Sequence, residues 1–258
     1  MAVSTAVVIA AISGGVSLAA AALSYANSRS VAKLNDRLEE QRRMRTKAEQ
    51  AAELRQRYRD PLLSAVFDLQ SRLYNIVTTT FLVRYAAAPE AARTYAVEST
   101  LYVLAEYLGW VEVIRREIQF LDLGTEPANR AWVAALEKVR DTLARDDLDP
   151  VLRIFRGEQR AIGEIMTIAV ADSGDARHHE CVGYATFVSN LRDPNFSRWF
   201  EQLRHDLSLL VQEPDAHLER PVLLQNALVD VLDLLDPNCD RFASERRSRL
   251  KVALAGGG

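Results

Sequence analysis

The sequence predicts an all-α fold, made of an N-terminal single transmembrane helix, a helical stalk and a cytosolic multi-helix bundle. Three observations predict it. The segment Met1–Ala26 carries no charged side chain, and the first one in the chain is Arg29. Turn formers are scarce, with 8 Pro and 11 Gly in 258 residues, so few chain reversals are encoded and long helices follow. Beyond Pro61, apolar residues recur at spacings of three and four, which places them on one face of a helix.

The anchor is residues 1–27. About 20 apolar residues cover the hydrocarbon thickness of a bilayer. A cleaved signal peptide has a basic leading region and an apolar core of about 7–15 residues. Here no Lys or Arg precedes the run, and the run is longer. Ala11, Gly15 and Ala19 lie four apart on one face, a small-residue pattern that lets helices approach closely in lipid. All nearby basic side chains follow the run, beginning with Arg29, Lys33 and Arg37. Basic flanks stay in the cytoplasm. The expected topology is therefore a single pass through the cell membrane, N-terminus outside and main domain cytoplasmic. Arg29, Lys33 and Arg37 are expected to contact lipid headgroups.

The formal net charge of −3 hides a strong asymmetry. Residues 29–59 hold ten basic and five acidic side chains, residues 60–240 hold 17 and 29, and residues 241–258 hold five and one. Basic residues beside a membrane are attracted by anionic headgroups at about 1 kcal/mol each. The acidic body argues against nucleic acid as a partner. The two cysteines, Cys181 and Cys239, are far apart in sequence and would stay reduced in the cytosol.

Residues 28–59 read as a basic helical stalk. Val31, Leu34 and Leu38 follow a seven-residue repeat, which weakens where Gln41 and Arg45 take the next positions, so a short coiled coil is an expectation here. Pro61, preceded by Asp60 as a cap, is expected to open a new helix, and residues 60–237 form the bundle. Leu62, Leu63, Val66, Leu69, Leu73 and Ile76 mark a central helix over 61–87. Leu101, Leu104, Leu108, Val111 and Ile114 mark the next, over 90–122. Trp132, Leu136 and Val139 point inward from a helix over 128–145. Residues 150–171 read either as helix, on Leu152, Phe155, Ile162 and Ile165, or as a short strand pair, because Gly157 and Gly163 weaken the helical reading. Residues 172–182 read as a loop. Helices are expected over 183–191, 195–212 and 219–236, punctuated by Pro194, Pro214 and Pro237. Residues 238–258 read as a basic flexible tail.

No phosphate-cradling glycine loop, nucleophile elbow or paired-cysteine metal motif is present. His178, His179, Glu180 and Cys181 are of metal-ligand type, but four adjacent side chains point apart rather than converge, and a polar loop is the better reading. The sequence thus nominates no catalytic, cofactor-binding or metal-binding residue and no cofactor. The stretches Tyr58-Arg-Asp-Pro-Leu-Leu through Arg72-Leu-Tyr-Asn-Ile and Tyr107-Leu-Gly-Trp-Val-Glu through Phe120-Leu-Asp-Leu resemble uncharacterised bacterial membrane-anchored helical proteins. That resemblance spans roughly Tyr58–Asp236. It implies the anchored helical topology and no activity.

The leading functional expectation is a membrane-tethered scaffold or interaction module whose partners are the lipid bilayer and a protein, or a second copy of itself. Two alternatives stay open. One is an enzyme with a polar site between helices, for which Arg72, Glu112, Arg116 and Arg160 are the first side chains to inspect. The other is an oligomeric membrane effector assembled through the Ala11, Gly15 and Ala19 face.

Overall fold

The computed structural model describes residues 5–117, 126–171 and 177–251, with side chains along the first helix described from Val31 onward apart from some positions up to Gln56. The anchor side chains fall outside that description, including Ala11, Gly15 and Ala19, and so does Arg29 at the start of the stalk. Among the described residues no helix is long and apolar enough to cross a membrane.

The chain divides into two units, Met1–Glu53 and Leu54–Gly258. The first helix, α1, spans Thr5–Thr79 and belongs to both. In the first unit every stalk side chain described is exposed, Lys33 and Arg37 included.

The second unit is built from the end of α1 and eight further helices among the described residues. These are α2 (Phe81–Ala86), α3 (Glu90–Glu117), α4 (Glu126–Ala144), α5 (Arg156–Ile165), α6 (Tyr184–Asn190), α7 (Pro194–Ser197), α8 (Glu201–Gln212) and α9 (Glu219–Leu235). The helix break expected at Pro61 does not occur, because α1 runs through it. Proline removes one backbone donor from a helix. Burial on both sides offsets that loss. Tyr58, Leu62 and Leu63 are all sunk in the core, and Ser64 Oγ donates to Asp60 O at 3.1 Å. Asp60 is not a helix cap; its carboxylate pairs with Arg241 at 3.2 Å. The chain breaks instead at Thr80, whose φ of 51° is left-handed, separating α1 from α2.

The core follows the predicted stripes. Leu62, Val66, Leu69 and Leu73 of α1 join Leu101, Leu104 and Leu108 of α3, and α9 is buried almost all round through Leu224, Leu228, Val231 and Leu232. Helix α4 packs along α9 and α3 along α5. Fully buried Arg220 of α9 closes the C-terminal end of α4, donating to Arg145 O at 2.7 Å and to Asp149 O at 2.9 Å. A cation is favourable at that end of a helix, where unpaired carbonyls concentrate negative potential.

The fold is mostly helical rather than all-α. Residues 150–171 are neither of the two simple readings: α5 is followed by strand β1 (Thr167–Ala171), which pairs antiparallel with β2 (Arg177–Cys181) in the register Thr167 to Cys181. The polar loop read over 172–182 therefore contains a strand. The hairpin sits against α3 because Gly109 leaves no side chain there; a Cβ at that position would lie 2.6 Å from Cys181 Sγ. Gly163 does the same for α5, where a Cβ would come within 2.8 Å of Leu108 O. The glycine that weakens the helical reading is thus the one that lets this helix pack.

Candidate functional site

Of the four charged side chains nominated for a polar site, only Glu112 and Arg116 meet, and they do so as neighbours on one helix. Glu112 is clasped by its own helix neighbours, Arg115 and Arg116, both at 2.7 Å. This double pairing holds its carboxyl below the usual range despite the opposing effect of burial, the largest single influence on it. Arg160 makes a surface pair with Glu164 at 3.0 Å. Arg72 alone is in an unusual setting. It donates to the hydroxyls of Ser99 and Thr100 at 3.0 and 2.9 Å and lies over the Phe81 ring at 4.4 Å. The cavity beside it, between α1, α3 and α8, holds about 10 Å³ and is otherwise lined largely by leucines. That space admits at most one water.

On β2, His178 pairs with Glu180 at 2.9 Å and His179 pairs with Glu117 of α3. Cys181 faces α3, its Sγ 3.8 Å from Glu106 O, and burial pushes its thiol up to about 12. A thiol so protonated is a poor nucleophile. Among the described residues no group of three or more His, Cys, Asp or Glu side chains is placed to hold a metal. His217 bonds Asp149 at 3.0 Å, and His205 is exposed.

The most elaborate polar construction lies where the sequence reads as a basic flexible tail. Its start is fastened by Asp236, which accepts from the backbone N–H of Asp240, Arg241 and Phe242 at 2.9, 3.2 and 3.1 Å and pairs with buried Arg247. Burial is the largest single influence and pushes the Asp236 carboxyl up, but the three backbone donors and Arg247 together hold it below its usual range. The chain then makes a 3-10 turn, Ser244–Arg246, and runs on beside α9 as a strap without regular secondary structure to Lys251. Phe242 stacks on Phe67 of α1 with ring centres 3.8 Å apart. The strap's backbone is gripped by side-chain amides. Gln70 of α1 donates to Arg246 O at 3.1 Å, Gln225 of α9 to Ser248 O at 2.9 Å, and Asn226 to Leu250 O at 2.9 Å. Leu250 N donates back to the oxygens of Gln225 and Asn226 at 3.2 and 3.1 Å. Gln70 and Gln225 are both fully buried and bond each other at 3.1 Å.

Acidic residues along α9 face the strap's arginines. Arg249 reaches Asp230 and Asp233, the latter at 2.9 Å, and Lys138 of α4 shares Asp230 at 2.7 Å. The two cations together hold the Asp230 carboxyl low, against burial as the largest opposing influence. Beside the strap runs an open groove of about 210 Å³, lined by Gln70, Ser71, Tyr74 and Asn75 of α1 and by Glu245, Arg246 and Ser248.

Sequence reasoning missed this site. The amides that define it, Gln70 and Gln225, are 155 residues apart and look like ordinary polar positions. The available signal was the polar Gln-Asn pair at Gln225–Asn226 between the apolar runs Val222–Leu224 and Ala227–Val229 of α9. Comparison with protein-family models, curated proteins and solved structures finds no match to this chain.

Proposed function

We propose that this chain is a membrane-tethered helical interaction module, held in the bilayer by residues 1–27 with its stalk and bundle on the cytoplasmic side. The observation that carries the reading is the exposure of three large apolar side chains at heptad spacing on the stalk: Val31 at 50%, Leu34 at 57% and Leu38 at 43%. Every described side chain around them is exposed as well. A lone helix is marginal in water, and an apolar seam of this spacing is ordinarily buried against another helix.

The seam continues through Gln41 and Arg45, with Arg42 beside it one turn beyond Leu38. Two copies in parallel register would set Arg45 against Arg45 in the seam. An acidic amphipathic helix of a different membrane-associated protein fits the face better, with apolar residues for Leu34 and Leu38 and carboxylates for the arginines. Arg29, Lys33 and Arg37, nearest the bilayer, are assigned to lipid headgroups.

The test is a photo-crosslinking residue placed at Leu34 in the full chain, activated in native membranes and read by mass spectrometry. A discrete adduct with a second protein, contacting the stalk, is the expected result. A chain that stays monomeric overturns the interaction reading. An adduct of two copies replaces the heterologous partner with self-association.

A further inference from the structure

We infer that the groove between α1 and α9 is a binding site for an extended, arginine-rich peptide, and that the chain's own segment Arg246–Lys251 occupies it in cis. The grip on that segment has two independent parts. The first reads backbone. Amides from Gln225 and Asn226 meet main-chain oxygens two residues apart, at Ser248 and Leu250, the spacing of an extended chain, and Gln70 meets the oxygen of Arg246, which closes the 3-10 turn Ser244–Arg246 just before them. Gln70 and Gln225 also bond each other at 3.1 Å, which fixes these two amides relative to one another independently of the strap. Backbone bonding of this type gives affinity for any extended segment.

The second part reads side chains. Asp230, Asp233 and Asp236 lie three apart along the end of α9 and meet Arg249 and Arg247 of the strap, with Asp233 placed between the two, 2.9 Å from Arg249 and 3.5 Å from Arg247. This acidic row selects arginine at alternate positions. The 210 Å³ groove alongside leaves the α1 wall at Ser71, Tyr74 and Asn75 open, where an incoming segment can land before the strap leaves. The strap follows the pattern Arg-Arg-x-Arg-x-Lys. That pattern recurs at Arg42–Lys47, where it is wound into α1 and is not in the extended form the groove takes.

The partner is thus an extended segment of a protein carrying Arg-x-Arg, and the strap is a tethered competitor for it. This inference uses the bundle alone and stands or falls separately from the anchor. The test uses the full chain in detergent micelles and a fluorescein-labelled peptide of residues 245–252, followed by fluorescence anisotropy. Arg249→Ala, which loosens the strap at an exposed pair, is expected to tighten peptide binding about fivefold or more. Adding Asp230→Asn and Asp233→Asn to that variant is expected to bring affinity back to the wild-type level or below. Equal binding by all three proteins, or no gain from Arg249→Ala, overturns the inference. Should a variant fail to fold, hydrogen exchange of the Leu250 amide in the unaltered chain decides. Faster exchange on adding saturating peptide is expected, and unchanged exchange is the contrary result.

Discussion

Gln225 on α9 donates to Gln70 on α1 across 3.1 Å, and the pair forms a buried floor under the C-terminal strap. Gln225 also serves Ser248 O and Leu250 N. Replacing it with alanine removes the donor to Gln70 Oε1 and Ser248 O and leaves Leu250 N with Asn226 alone, at a cost of about 1–3 kcal/mol. Gln225→Ala should therefore lower the thermal midpoint and accelerate exchange of the Leu250 amide, while amides in the centre of α3 keep their relative protection. Uniform loss of protection would show that the strap is integral to the bundle rather than a separable layer.

Two glycines of α5 should respond to alanine with opposite signs. At Gly163 a Cβ would meet Leu108 O and Glu112 Cβ, each at 2.8 Å, so α5 must move off α3, and Gly163→Ala should destabilise by about 1–3 kcal/mol. At Gly157 no atom lies within 4 Å of the added Cβ, and the position is helical. Gly157→Ala should stabilise by about 0.5–1 kcal/mol, through higher helix propensity and a less mobile unfolded chain. Urea titration of the two variants measures both.

Burial raises the carboxyl of Glu106, with Asp68 adding in the same direction and the hydroxyl of Tyr102, donating at 3.1 Å, opposing. The folded chain thus binds this proton more tightly than the unfolded chain. Below the ordinary value of 4.5 the side chain is protonated in both states and makes no difference. As pH rises through the folded value, ionisation costs stability. Glu106→Gln should raise the thermal midpoint at pH 7, and the advantage should vanish below about pH 4.5. An advantage that is the same at both pH values would assign the effect to packing instead of charge.

The helices were legible because one face of each is apolar over several turns. Leu62 to Leu73 on α1 and Leu101 to Leu108 on α3 were identified from spacing and lie in the core. Pro61 misled because a local rule was overridden by tertiary burial of Tyr58, Leu62 and Leu63 around it. The hairpin was illegible because β2, Arg-His-His-Glu-Cys, has almost none of the side chains that favour strands. It is held by register with β1 and by the space left at Gly109. The strap read as a loose tail because its own sequence is basic and polar. What fastens it is Asp236, Gln225 and Gln70, and only the fold brings these together.

Membrane attachment of the full chain is the central claim, and membrane flotation with alkaline carbonate extraction, followed by protease treatment of intact cells, tests it most directly. The chain should float with the membranes, resist carbonate, and keep residues 54–251 protected from protease added outside. A full-length chain recovered free in the soluble fraction, or a bundle digested from outside, would contradict it.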